Sequence, residues 1–367
     1  MHEVMTQSLE SADQNVSGLP SQPCDDPLFV VGMFRSGTSL LYALLNQHPK
    51  VALMYEGDLA HLPSLFWFPT STRRWLARWE FWNGALTRHK IDTRNIPEGI
   101  SDLETAVRET YVQYAQQKKG ATVWGCKSPT YSDEVSRLSR TFPNARFVII
   151  WRDLRSICRS ILKAAEKPSF FRRTGIMMRS LIGYRELKKQ CDGLLMRGVA
   201  VHQIHYEDLV RDPAATMQGI CEFLQIPFDP RMTSLEGADR SAIENAAHHS
   251  LVKTEEIMPS KKNLTDLPPA LKSKIDRYLF MWRKQYDGSW PVYPCSLEET
   301  AAPSLGERLW DGLQYQCLQL WYHSTPVVFA FVPFPLWKAY RKLRGRPYAS
   351  ELDYQLAAEK ARNSAPL

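Results

Sequence analysis

Residues 27–39 read PLFVVGMFRSGTS and run on into LLYALLNQHP: an apolar run, a loop bracketed by two glycines, then a helix. A short strand with no polar alternation, feeding directly into a helix, belongs to a parallel sheet covered on both faces. The loop resembles the phosphate cradle G-x-x-x-x-G-K-[ST] in the spacing of Gly32 and Gly37. It departs from that pattern at one position, because Thr38 stands where the lysine belongs and the loop's cation is Arg35, two residues before the second glycine. Such a loop is suited to holding a nucleotide phosphate without the usual triphosphate chemistry.

Three further segments repeat the strand-then-helix rhythm: ATVWGCK at 121–127 before a Ser-Pro stop, ARFVIIW at 145–151 before a helix at 153–165, and VAVHQIHY at 199–206 before a helix at about 213–225. The expected fold is therefore α/β, a P-loop-like doubly wound parallel sheet with helices on both faces. Ligands of such sheets bind beyond the carboxyl ends of the strands, and Arg35, Lys127, Arg152 and Tyr206 each fall just past or at such an end. Residues 1–26 are polar and expected to be disordered, 27–295 to form the main domain, and 296–367 a helical extension packed on the domain or on a membrane surface. An aromatic, arginine-rich insertion occupies 62–84, and the apolar run 326–337 precedes a basic stretch, KAYRKLRGR, at 338–346. Residues 303–325 read as helical, and the apolar run of twelve is too short to span a bilayer as a helix.

At 367 residues the chain can bury a large core, and a net charge of +7 suits an anionic ligand or an ordinary basic exterior. Lys and Arg are nowhere dense enough to indicate nucleic acid. The seven cysteines are scattered and never in C-x-x-C spacing, which predicts reduced, packed thiols, with neither disulfides nor a metal-ligand cluster. The N-terminus lacks an apolar signal segment, so a cytoplasmic enzyme, with possible peripheral membrane contact, is the expected class.

The chemistry starts at the loop. Backbone N–H groups at the N-terminus of the following helix attract an anion, Ser36, Thr38 and Ser39 add hydroxyls, and Gly37 allows close approach. A second element is RDLRSICRS, where Arg152 leaves a strand and Ser160 lies two helical turns further on; together they can clasp a phosphate, with Arg155 a further candidate.

RSGTS…HP, FPNARFVIIWRDLRSICRS, HYEDLVRDP and the FL at 223–224 together resemble the sulfotransferases that use 3′-phosphoadenosine-5′-phosphosulfate (PAPS) as co-substrate and release adenosine 3′,5′-bisphosphate (PAP). The likeness runs from about residue 28 to 228, with weaker echoes to about 290, and is nearer the bacterial and tyrosylprotein branch than the aryl branch. It implies that Arg35, Ser36, Gly37, Thr38 and Ser39 hold the 5′-phosphosulfate, Arg152 and Ser160 the 3′-phosphate, and that Tyr206 lies near the adenine. Leu154 departs from the proline many relatives carry there, which alters a helix start and spares both phosphate ligands.

An acceptor hydroxyl must lose its proton, and a carboxylate whose pKa is raised by burial can take it. The resemblance implies that role for Glu56, since the tyrosylprotein branch carries its catalytic glutamate at this offset from the loop; Asp58 and, by likeness to the aryl branch, His61 are competitors, and His48-Pro49 is a helix stop. Lys127, in a K-[ST]-P context like that of the bacterial branch, is suited to the leaving phosphate or the sulfuryl oxygens, or is a plain surface lysine. Lys253, Lys261 and Lys262 lie where relatives close over the nucleotide. The acceptor remains open: a small molecule, a carbohydrate or something lipid-like. The rivals are a P-loop kinase or nucleotide hydrolase, which the absent lysine disfavours, and a non-catalytic nucleotide-binding scaffold at a membrane.

Overall fold

The computed structural model describes residues 26–59, 85–166 apart from 98 and 101, 175–243, 267–285 and 300–331, with isolated positions elsewhere. Its centre is a parallel sheet of five strands: β1 (Leu28–Val31), β2 (Val51–Tyr55), β3 (Val123–Lys127), β4 (Arg146–Trp151) and β5 (Val201–His205), in the order β2-β3-β1-β4-β5. Sequence rhythm predicts four strands. The fifth, VALMY, is β2, and it places Glu56 at a strand end like the other candidates.

Successive residues of each strand enter two separate cores, as the two-residue period of a strand requires. Phe29, Val31, Phe147 and Ile149 pack on one face of the sheet, and Leu28, Val30, Val148 and Ile150 on the other. All four residues of β1 are buried, which is why the run shows no polar alternation. Gly125 in β3 has φ 153°, and a side chain there would collide with the Leu28 carbonyl oxygen of β1.

Helix α1 (Thr38–Leu45) packs beneath β1, β2 and β3. The short α2 (Ala85–Arg88) ends at Arg88, whose Nη1 donates to the Tyr55 carbonyl of β2 at 3.4 Å, and α3 (Leu103–Gln116) lies over β2 and β3. On the same face, α4 (Val135–Thr141) and α5 (Leu154–Ala165) pack against α6 (Ile176–Met196). The chain then passes through α7 (Tyr206–Arg211) and α8 (Pro213–Leu224), which cover β5, to α9 (Pro269–Gln285) and α10 (Leu305–Phe331). Helix starts follow local chemistry: Asp153 caps α5 through the Ser156 N–H at 2.7 Å, and Asp212 caps α8 ahead of a first-turn proline. Starting α5 at Leu154 leaves Arg152 on the strand side of that cap.

The expected helix at 303–325 begins at Leu305 and continues through Pro326 to Phe331; proline removes one intrahelical donor but does not oblige the chain to stop there. Its first half is fastened to α9 by ion pairs Lys274–Asp311 and Arg277–Glu307, each at 2.5 Å, and by the Tyr278 hydroxyl donating to Asp311 at 2.9 Å. No helix among the described residues is long and apolar enough to cross a membrane. Residues 1–25, nearly all of the aromatic insertion, His61, Lys253, Lys261, Lys262, and all but a few positions of 332–346 lie outside the described residues.

Candidate active site

Five strand ends converge on one edge of the sheet. The loop after β1 carries Arg35; Glu56 follows β2; Lys127 ends β3; Arg152 follows β4; Tyr206 follows β5. Backbone conformation marks the same edge. Arg35, Glu56 and Asp58 occupy the left-handed region at φ 69°, 49° and 54°, which non-glycine residues seldom adopt; Lys90 and Gln225 do so elsewhere.

Around the loop, Arg35 Nε donates to Ser160 Oγ at 3.0 Å, and Arg152 Nη1 donates to the Arg35 carbonyl at 2.7 Å. Groups assigned by resemblance to opposite ends of a nucleotide thus form one connected cluster. Tyr184 on α6 donates its hydroxyl to the Arg152 carbonyl at 3.0 Å, fixing the backbone behind the guanidinium. Tyr206 lies under Arg152, with the guanidinium carbon 4.1 Å from the ring centroid, a stacking contact available to arginine. The same ring fills the space beside Gly37, at φ 103°, so a side chain at that glycine would overlap it. Gly37 precedes α1 without providing a side-chain cap, which suits a helix N-terminus meant for an anion.

The other half of the site is a lysine–carboxylate pair. Lys127 is fully buried, so it is not a surface lysine; its Nζ donates to Glu56 Oε1 at 2.7 Å and to Ser39 Oγ at 3.1 Å. Ser39 Oγ in turn lies 3.1 Å from the Tyr55 hydroxyl, and Lys127 Nζ sits 4.0 Å from the Tyr55 ring centroid.

Electrostatics follow from this crowding. Burial lowers the Arg35 pKa to about 10, the neighbouring Arg152 pushing the same way against Tyr55 and Glu56. Burial also lowers that of Arg152, against the attraction of Tyr206 and Glu207. Two guanidiniums driven down by burial, one of them also by the other's charge, define a site whose charge balance favours an added anion. Lys127 behaves differently: burial works against its charge, but the Glu56 carboxylate and Tyr55 together outweigh burial and the pKa rises.

Several expectations change. A carboxylate base raised by apolar burial is the expectation; Glu56 is instead partly exposed and held by the Lys127 ammonium. Asp58 takes hydrogen bonds from Ser128 and from Thr130 Oγ1, the latter at 3.0 Å, so it organises the turn after β3. Arg155 is engaged with Asp276 on α9 at 2.6 Å, across the α5–α9 contact. Ser36 turns inward: its N–H donates to the Met33 carbonyl at 3.0 Å, and its buried hydroxyl faces Gly32. His48 lies 2.8 Å from the Pro227 carbonyl and accepts from the Lys50 N–H at 3.0 Å, a structural post at the helix stop. Thr38 is buried in the first turn of α1.

Three contributors escape sequence reasoning: Tyr55, Tyr184 and Phe171, over whose ring the Arg35 guanidinium carbon sits at 5.7 Å. Only Tyr55 left a trace, as the residue before Glu56. Among the described residues, no group of three or more His, Cys, Asp or Glu is placed to hold a metal ion.

A parallel α/β sheet with a glycine-bracketed, arginine-bearing loop and a second arginine at the neighbouring strand end defines a protein that binds phosphorylated nucleotides. The family model of the sulfotransferase family matches residues 27–230, more than half of the chain, and the chain belongs to that family. A putative protein-tyrosine sulfotransferase of Caenorhabditis briggsae is 24% identical over 208 residues, 56% of this chain and 67% of the relative. Protein-tyrosine sulfotransferase A of Caenorhabditis elegans and protein-tyrosine sulfotransferase 1 of Danio rerio are each 26% identical over 56% of this chain. The chain spans only 51% and 55% of those two relatives. The sulfotransferase domain from the curacin biosynthetic pathway is 18% identical, with a TM-score of 0.48 over 74% of this chain and 100% of that domain.

Proposed function

We propose that the chain transfers a sulfuryl group from PAPS to an acceptor hydroxyl. One observation carries the reading: the Arg35–Arg152 pair and the Lys127–Glu56 pair meet at one edge of the sheet. The residues present fit the co-substrate. Two crowded guanidiniums call for an anion, the uncapped start of α1 offers backbone donors, and Gly37 keeps the loop free of a side chain.

When bound, PAPS supplies an activated sulfuryl group whose departure leaves charge on a phosphate. Arg35 and the N-terminus of α1 are positioned to stabilise that charge, and Arg152 with Ser160 to bind the second phosphate. Glu56 takes the proton of the acceptor hydroxyl as the new S–O bond forms, while the old bond's electron pair stays with the nucleotide. Lys127 orients Glu56 and, through Ser39, ties the base to the loop. A phenolic hydroxyl, as in the named activity of the protein-tyrosine sulfotransferase relatives, is the acceptor to try first; their names support it.

Thermal denaturation with ligands tests the donor site. Adenosine 3′,5′-bisphosphate without magnesium is expected to raise Tm, by an amount equivalent to about 2.7 kcal/mol at a hundredfold excess over Kd. Stabilisation by magnesium-ATP alone would replace this reading with a triphosphate enzyme.

A further inference from the structure

Helix α10 is amphipathic in the inverted sense. Glu307, Arg308 and Asp311 are its only charged residues between 305 and 331, and Glu307 and Asp311 are bonded to α9, with Asp311 only 1% exposed. Buried beside Asp311 on that inner side are Tyr315, Leu318 and Gln319. Opposite them, Leu305, Leu309, Trp310, Leu313 and Leu320 recur at helical spacing with exposures of 65%, 66%, 60%, 53% and 72%. A helix of a water-soluble surface normally does the reverse. Most of the large exposed hydrophobic residues described anywhere in the chain lie on this helix or just after it, at Leu336 and Leu343.

The sequence continues the theme. From Gly312 to Trp337 there is no Asp, Glu, Lys or Arg, and the stretch holds two tryptophans and three phenylalanines. Lys338, Arg341, Lys342, Arg344 and Arg346 then follow within nine residues. A long apolar helix face with aromatic anchors, too polar overall to span a bilayer, matches an element lying in the lipid–water interface. A dense basic run immediately after it supplies the attraction to anionic headgroups.

We propose that the outward face of α10, with the basic segment 338–346, docks the protein on an anionic membrane surface. The charge of the basic run chooses the bilayer as occupant over a second copy of the chain, whose +7 net charge offers that run no complement. None of these residues belongs to the phosphate-binding site, so docking and nucleotide binding are separable.

Vesicle co-sedimentation of the full chain tests this. The protein is expected to sediment with phosphatidylcholine–phosphatidylserine vesicles at least tenfold more strongly than with phosphatidylcholine alone, and less strongly as salt is raised. Leu309→Glu with Leu313→Glu is expected to lower partitioning at least tenfold, while circular dichroism and stabilisation by adenosine 3′,5′-bisphosphate stay unchanged. Replacing Lys338, Arg341, Lys342 and Arg344 by glutamine is expected to abolish the preference for phosphatidylserine. Equal partitioning of the wild-type protein and the leucine variant would overturn the proposal. So would a lipid-free dimer that the leucine variant dissociates, since the face would then belong to a second copy.

Discussion

At the carboxyl edge of the sheet this fold holds charges in its interior, whereas along α10 it holds leucines and a tryptophan in water. Both regions break the usual partition of apolar inside and charged outside, and they do so in opposite directions. Lys127 sits fully buried and Arg152 nearly so. Desolvating such a charge is tolerable only when partners surround it, and here Glu56, Ser39 and the Tyr55 ring do so for Lys127. On α10 Glu307 and Asp311 face α9, while Leu305, Leu309, Trp310, Leu313 and Leu320 face out. Violations of this kind concentrate where a protein meets something else. The inward violation suits a small anion, the outward one an extended apolar surface.

The largest expected effect is on the inward side. Glu56→Gln keeps the shape of the carboxyl group but removes its ability to accept a proton. Turnover with PAPS and a phenolic acceptor is expected to fall about 10²–10⁴-fold, the usual range for a lost general base, with bisphosphate affinity retained. Turnover close to wild type would detach the Lys127–Glu56 pair from the chemistry. Next in size, Arg152→Ala removes a guanidinium that is stacked on Tyr206 and bonded to the Arg35 carbonyl. Affinity for adenosine 3′,5′-bisphosphate is expected to drop by roughly 10–100-fold, as for a lost charge-assisted contact of about 1.5–3 kcal/mol. Calorimetric titration against the 5′-monophosphate gives the check, because equal losses for both nucleotides would move Arg152 away from the second phosphate.

How much of this was visible beforehand differs between the two regions. The loop was legible because β1 is uniformly apolar and its glycine spacing is local information. Glu56 is legible through the resemblance to the tyrosylprotein branch, whereas its strand is not: β2 is five residues long and follows directly on Pro49-Lys50, with no helix legible in the sequence after it to repeat the strand-then-helix rhythm. Arg155 could not be removed from the clasp by sequence, since its partner Asp276 lies 121 positions away and the ion pair exists only once α9 is placed. Lys127 was recognised as a strand-end cation, but its depth of burial is a property of the assembled sheet. For α10 the sequence indicates a helix over 303–325 but not which of its faces turns inward. Periodicity says that a helix has two faces; the ion pairs to α9 and the packing on α6 say which face turns inward.

A titratable group at the sheet's outer edge offers a pH test of the inward region. His89 packs against β2, with Nε2 3.0 Å from the Tyr55 N–H and 2.9 Å from its carbonyl. Burial lowers its pKa to about 4, opposed by the hydrogen bond to Tyr55. The unfolded chain, with an ordinary imidazole near 6.5, binds more protons over this interval, so stability rises with pH through it. The contribution is therefore complete above about pH 6.5 and is lost as the pH falls toward 4, amounting to about 3 kcal/mol by linkage. Denaturant titrations across that window are expected to show a steeper acid loss for the wild type than for His89→Gln. Parallel curves would mean that the imidazole does not stay neutral beside Tyr55.

The smallest expected effect decides the other side of the comparison. Asp311→Ala on the inner face of α10 strips partners from Lys274 and from the Tyr278 hydroxyl, and is expected to cost about 2 kcal/mol, as for hydrogen bonds to a charged group. Leu313→Ser on the outer face removes an apolar side chain that water already reaches, and is expected to change stability by no more than about 0.5 kcal/mol in the lipid-free protein. The contrast is diagnostic because leucine-to-serine in a packed core removes several buried carbons and costs far more. Equal and large losses for the two substitutions would mean that the outer face is covered by the chain itself. A large loss for the aspartate alone leaves the leucines free to meet another surface, and the charged face of the helix as what fastens it to the domain.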